Sequence, residues 1–222
     1  MPANAPDPKA LRALARRDPA LAALMKSAPA FPGFPTGHHA RRTHFESLAS
    51  AIVSQQLSGK AAATIWGRVL DLAPKRRLAP EHIDDLADEQ LRGAGLSGAK
   101  TASIRDLALK SRDGTLRLQG IARASEQEVI ERLVQVRGIG VWSAQMFLMF
   151  KLGRLDVLAP GDLGLQEGLR RLDGLAERPS PAELEARGAD WAPLRSVASW
   201  YLWRATEIPE DRFPRPAAQR SR

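Results

Sequence analysis

The chain has 222 residues, with 33 Lys and Arg against 25 Asp and Glu for a formal net charge of +8, a hydrophobic share of 44% and no cysteine. That length and apolar share suffice for one moderate domain or two small lobes and exclude an intrinsically disordered chain. The missing Cys excludes disulfides, Cys-ligated zinc or iron–sulfur centres and thiol catalysis. No run approaches the roughly 20 apolar residues that span a bilayer, so a cytoplasmic protein away from membranes is expected.

Helical periodicity begins at Phe45, Leu48, Ala49, Ile52 and Val53, which follow the i, i+3, i+4, i+7, i+8 rhythm of a helix with one buried face. Ala62, Ile65, Trp66, Val69 and Leu70 repeat it after Ser58 and Gly59. Gly95 to Lys100 (GLSGAK) lies between two further helical patterns and offers a second turn where a phosphate is clamped. Ser125 with Glu128 forms a capping box ahead of Val129, Ile130, Leu133 and Val134. Ser180, followed by Pro181 and Glu183, starts another helix, and Leu194, Val197, Ala198, Tyr201 and Leu202 line a last one. Strand patterns are confined to a short apolar piece around Leu155 to Leu158. The expected fold is all-α, with about eight to ten short helices. Pro- and Gly-rich linkers fall at 30–37, 78–81 and 159–164. Half of the excess positive charge sits in the last eleven residues, RFPRPAAQRSR, either as a solvated tail or as a non-specific contact for a polyanion.

The stretch LVQVRGIGVWSAQMFLMFK, residues 133–151, carries the strongest signal. It predicts a helix ending near Val136, a tight turn through Arg137, Gly138, Ile139 and Gly140, and a second helix from Val141. Two glycines two apart let the chain turn sharply and approach another backbone, Ile139 plugs the gap between the helices, and the amides that open the second helix suit an anion such as a DNA phosphate. A plain helix C-cap and turn explains the same residues. Further on, Asp162 before Leu163, Gly164 and Leu165 reads as an ordinary helix N-cap, and Asp156 reads as structural. His38, His39, His44 and His82 have no metal-ligand spacing.

Four ordered motifs resemble the helix-hairpin-helix (HhH-GPD) DNA glycosylases, in their 3-methyladenine DNA glycosylase II branch: FESLASAIVSQQLSGKAA from Phe45, the V-x-G-I-G-x-x-S-A hairpin, LAPGDLGL with Asp162, and WAPLRSVASWYLWR from Trp191. The resemblance implies two helical lobes with an active-site cleft between them and no N-terminal β domain. Residues 1–43 would be N-terminal helices packing with the C-terminal lobe, 44–160 the lobe with the hairpin, 161–211 the C-terminal lobe and 212–222 a basic flexible tail.

The resemblance makes Asp162 the catalytic carboxylate, which also serves as a cap because a helix N-terminus favours an ionised acid. It assigns Trp142, Trp203 and Met146 to the base pocket, Arg137, Gly138, Ile139, Gly140 and Ser143 to the DNA-binding hairpin, and Gln56 with Leu57 to the wedge that fills the space of an extruded nucleotide. Without it, Gln55 and Gln56 are surface residues at a helix end, and the five Trp are core; Trp66, Trp191 and Trp200 are read so in either case. Members that are also lyases carry Lys where this chain has Trp142, so hydrolysis without strand cleavage is implied. Arg137 stands where many relatives have Pro.

The expected activity is therefore hydrolysis of the N-glycosidic bond of alkylated bases of the 3-methyladenine and 7-methylguanine type. The partner is double-stranded DNA, the protein a nucleoid-associated monomer, and no cofactor is needed beyond a structural monovalent cation held by the carbonyls of Val134, Val136 and Ile139. Two alternatives remain: a glycosylase for uracil, mismatched or oxidised bases, for which Gln145 is the hydrogen-bonding candidate, and a non-enzymatic helix-hairpin-helix module that binds DNA.

Overall fold

The computed structural model describes residues 4–214. Most of the basic tail read from the sequence, from position 215 on, lies outside the described residues. Among the described residues there are thirteen α-helices and no strand: α1 (Pro8–Arg17), α2 (Pro19–Ser27), α3 (Gly37–Arg41), α4 (His44–Ser54), α5 (Gly59–Asp71), α6 (Pro80–Asp84), α7 (Asp88–Gly93), α8 (Gly98–Arg112), α9 (Glu126–Leu133), α10 (Val141–Met146), α11 (Leu163–Asp173), α12 (Pro181–Gly188) and α13 (Arg195–Ala205). The count exceeds the eight to ten expected because α3, α6, α7 and α10 have only five or six residues. Fewer than two turns cannot display a 3.6-residue period over i to i+8. The apolar piece at 155–158 bends at Leu155 and Asp156 and forms no strand. Leu155 carbonyl accepts from Ser196 N (2.9 Å), and Val157 N donates to Ser196 Oγ (2.9 Å), so it is pinned to the start of α13 instead.

The chain folds into two compact units, residues 4–36 with 152–214, and residues 37–151. The first linker, 30–37, falls at the first of these divisions, whereas the domain bounds implied by the resemblance lie at 43/44 and 160/161.

In the discontinuous unit, α2 packs on α11 and α13, and α11 lies along α13. Its buried polar centre is Asp18, which caps α2 through Leu21 N (2.9 Å) and accepts from Trp191 Nε1 (2.8 Å) and Arg187 Nη2 (2.6 Å). Burial alone would raise this carboxyl's pKa; the bonds from Leu21, Trp191 and Arg187 outweigh it and hold the group below its ordinary value. Gly168 of α11 meets the backbone of α13 directly: a Cβ there would lie 2.3 Å from the Leu202 carbonyl oxygen. The capping box at Ser180 and Glu183 is present, with Pro181 at the first helical position.

In the continuous unit, α4 is buried over most of its length and packs on α5 and α8. Thr43 and Glu46 form its capping box, and Glu46 also accepts from Leu78 N (3.1 Å). The Gly95–Lys100 segment turns at Gly95 (φ 109°) and is capped by Ser97. Lys100 Nζ donates to the carbonyls of Val53 and Gln55, both at 2.7 Å. Its charge closes the C-terminal end of α4, where exposed carbonyls attract a cation, so this side chain serves a helix end rather than a second phosphate clamp.

Candidate active site

The hairpin is built around one left-handed residue. Helix α9 stops at Leu133, earlier than the periodicity suggests, because the chain tightens into turns: Val136 N donates to Leu133 O (3.1 Å) and Ile139 N to Val136 O (3.0 Å). Gly138 has φ 77°, and a Cβ on it would lie 2.7 Å from Ser103 Oγ on α8. Ile139 is buried. Arg137 N donates to Asp106 Oδ2 (2.7 Å), which also takes Lys110 Nζ (2.8 Å), while Lys110 reaches Gln135 O (2.6 Å). The turn is thereby fastened to α8 by an amide bonded to a carboxylate, a bond that Pro at position 137 could not make.

Gly138→Ala is accordingly expected to destabilise the unit by about 1–3 kcal/mol through left-handed strain, with the Ser103 contact adding to it. Adding Ser103→Ala should recover only the contact. Thermal unfolding of the single and double variants separates the two effects; full recovery in the double variant would show that the backbone conformation is not what requires glycine.

Helix α10 runs on into a π-helical turn, Phe147–Lys151, and this run forms one wall of a cavity of about 630 Å³. Trp142, Ser143 and Met146 line it together with Gln56 and Leu57 from the turn after α4. The sequence-derived wedge and two of the three pocket residues are thus brought to one place. Gln56 is left-handed (φ 57°), and its neighbour Gln55 donates through Nε2 to Gly138 O (2.7 Å), tying the turn to the hairpin. Trp142 is 48% exposed, in contrast to Trp66 at 6% and Trp191 at 0%, which are core as read, while Trp200, read the same way, is half-buried. Gln145 is half-buried and is not among the lining residues.

Four further lining residues had no role assigned from the sequence: His39, Ser47, Phe150 and Lys151. The His39 ring stacks on Phe150 with centroids 5.6 Å apart. Burial first, then His38, Arg42 and Lys151, push its pKa down to about 4, so the ring is neutral at physiological pH. Lys151 Nζ donates to His39 O (3.0 Å) and also to Arg42 O. Burial lowers its pKa. Ser47 falls in the motif that starts at Phe45, Phe150 and Lys151 end the hairpin stretch, and His39 lies outside every motif.

Asp162 lies in the other unit. The turn before it is closed by Asp162 N to Ala159 O (3.0 Å) and by Gln166 Nε2 to Pro160 O (2.9 Å). The carboxylate caps α11 through Leu165 N (2.8 Å) and accepts from Trp203 Nε1 of α13 (3.0 Å), both on Oδ1, and is 8% exposed. Trp203, assigned to the base pocket, therefore uses its indole N–H to hold the acid. A Cβ on Gly164 would come within 3.0 Å of both Asp162 Oδ1 and Trp203 Cδ1, so this glycine, one turn before Gly168 on α11, admits the indole. Neither glycine stood out in the sequence. Asp156 instead binds Arg195 through Nε (2.8 Å), Nη2 (3.1 Å) and backbone N (3.2 Å), a structural role as read. Among the described residues, no group of three or more His, Asp or Glu is placed to hold a metal ion.

Residues 49–194 match the family model for the HhH-GPD superfamily base excision DNA repair protein. The chain is 35% identical over 170 residues to DNA-3-methyladenine glycosylase 1 of Schizosaccharomyces pombe, a match covering 76% of this chain and 75% of that protein. It is 38% identical over 204 residues to the DNA-3-methyladenine glycosylase of Saccharomyces cerevisiae, covering 76% and 68%. Among solved structures it is similar to the S. pombe 3-methyladenine DNA glycosylase in complex with abasic DNA, with TM-score 0.82, 31% identity and coverage of 91% of this chain and 98% of that one. It is also similar to the DNA-3-methyladenine glycosidase of Bacillus halodurans, with TM-score 0.81, 38% identity and coverage of 95% and 96%.

Proposed function

We propose that this chain, which belongs to the HhH-GPD superfamily of base excision DNA repair proteins, is a monofunctional DNA glycosylase that releases alkylated bases from duplex DNA. The observation that carries this reading is Asp162: a carboxylate largely withdrawn from water, set on a helix N-terminus and held by an indole N–H. Such a group stabilises positive charge developing on a sugar and orients the water that attacks it. A protein that only bound DNA would gain from this acid nothing beyond the cap of a helix.

A base within a duplex must first be extruded, at a cost of a few kcal/mol. Gln56 and Leu57 are the candidates to occupy the vacated space, and the turn at Gly138 the candidate to grip the backbone with its amides. Methylation at ring nitrogen makes the purine a cation, which an exposed indole such as Trp142 attracts by about 0.5–2 kcal/mol. The same charge makes the base a good leaving group: the C–N bond breaks with its electron pair going to the base, water adds to the anomeric carbon, and its proton is lost to solvent or to Asp162. The products are free methylpurine and an abasic site. All the residues invoked are on one chain, so a monomer suffices.

The resemblance implies a monovalent cation at this turn. The Val136 carbonyl accepts from Ile139 N and keeps a second lone pair; the carbonyls of Val134, Val136 and Ile139 would hold the ion, which would supply positive charge for a phosphate.

A Schiff base to the sugar requires an amine at the reacting carbon. The lyase lysine is replaced by Trp142, and Lys151 is engaged with the carbonyls of His39 and Arg42. Incubation with methylated duplex and borohydride is therefore expected to give base release, an intact strand and no trapped adduct. A covalent adduct would overturn the monofunctional assignment, and release of uracil but no methylpurine would move the substrate to the neutral lesions.

A further inference from the structure

The segment that joins α4 to α5 carries both wedge candidates. Gln56 is left-handed (φ 57°), and both it and Leu57 are exposed. A residue other than glycine keeps such a conformation only where its surroundings hold it. Two bonds act on the residue just before it. Lys100 Nζ, on α8, donates to the Gln55 carbonyl (2.7 Å), and Gln55 Nε2 donates to the Gly138 carbonyl in the hairpin (2.7 Å).

The hairpin end of the second bond is itself fixed. The peptide that joins Gly138 to Ile139 is held on both sides, its carbonyl by Gln55 and its N–H by Val136 O (3.0 Å). Helix α8 supports turn and hairpin alike. Lys100, Ser103, Asp106 and Lys110 are three, three and four residues apart and so lie along one side of it. Lys100 meets the turn, Ser103 stands against Gly138, Asp106 accepts from Arg137 N, and Lys110 donates to Gln135 O. Turn and hairpin therefore stand on one helix, and Gln55 joins them directly.

We propose that Gln55 is a positioning residue for base extrusion: through the Gly138 carbonyl it sets the wedge at a fixed place relative to the hairpin, so that the wedge enters the duplex already ordered. The inference rests on the glycosylase reading above. A turn without this bond must be ordered as it inserts, and that ordering subtracts from what the wedge contributes. The effect depends on the substrate, because a paired base costs more to extrude than one without a partner. Gln55 also lines the cavity; a part in reading the base would slow both substrates alike, which sets the two roles apart.

The test is single-turnover release of 7-methylguanine, placed once in a synthetic duplex opposite either cytosine or an abasic analogue. It compares the full-length protein with Gln55→Met, which keeps the length of the side chain and removes its donor. The variant's rate on the paired lesion is expected to fall by about two- to tenfold, the range of one neutral hydrogen bond, with the rate on the unpaired lesion close to wild type. Gln55→Glu, an isostere that turns an acceptor toward the Gly138 carbonyl, should show a larger fall in the same pattern. Gln55 is half-buried, so both variants should fold, and the ratio of the two rates does not depend on the fraction folded. A ratio equal to that of the wild type overturns the inference while leaving the glycosylase reading intact. If the wild-type protein releases no base from either duplex, the glycosylase reading fails and takes this inference with it.

Discussion

Replacing Asp162 by Asn is expected to lower single-turnover base release by about 10²–10⁴-fold, the usual range for a positioned acid or base, while leaving duplex affinity nearly unchanged. The substitution suits the question because Asn is as good an N-cap as Asp. Its carbonyl oxygen takes over the bonds from Leu165 N and Trp203 Nε1 that Asp162 Oδ1 now accepts, so the fold keeps its contacts and only the charge is lost. Gel-shift affinity and melting temperature measured beside the rate separate chemistry from folding. A variant that released base at the wild-type rate would remove Asp162 from the reaction.

Gly168→Ala should have the largest effect on stability. Its Cβ would stand 2.3 Å from the Leu202 oxygen and 2.7 Å from the Leu202 carbonyl carbon. Backbone in the middle of α13 cannot move aside as a side-chain tip does. Helices α11 and α13 must separate, at a cost of at least about 1–3 kcal/mol by analogy with overpacked cores, and a melting temperature lower by roughly 3–10 °C for a chain of this size. The helices that part are those carrying Asp162 and Trp203, so the surviving folded protein should also be slower. Gly161→Ala, one residue before the acid, is the control: its Cβ meets nothing within 4 Å, and both stability and rate should stay close to wild type. Equal behaviour of the two variants would show that close approach of α13 is not what Gly168 provides.

The sequence announces the local parts of this molecule more clearly than the tertiary ones. The boxes at Ser125 and Ser180, the cap at Asp162 and the start of α10 at Val141 are set by contacts within a few residues, and all four are visible as motifs. The end of α9 was less legible, because its last turn gives way to bonds that look helical in sequence. Side chains whose partners are far along the chain were hidden. Lys100 closes α4 across 45 and 47 residues, and Ser47, His39 and Lys151 share a wall without any common period. Gly164 and Gly168 are the plainest case. A glycine inside a helix reads as a weak point, and only the neighbouring α13 shows what each admits. Trp203 was found through resemblance, yet its hydrogen bond to the acid follows from where α13 lies and from no motif.

The most direct test of the catalytic account is chromatography of the free bases released when the full-length protein acts on methylated duplex DNA, with Asp162→Asn run alongside. The account predicts methylpurines from the wild-type protein, abasic sites in matching amount, and background release from the variant. Tight binding of the same DNA by the wild-type protein with no base released would contradict it.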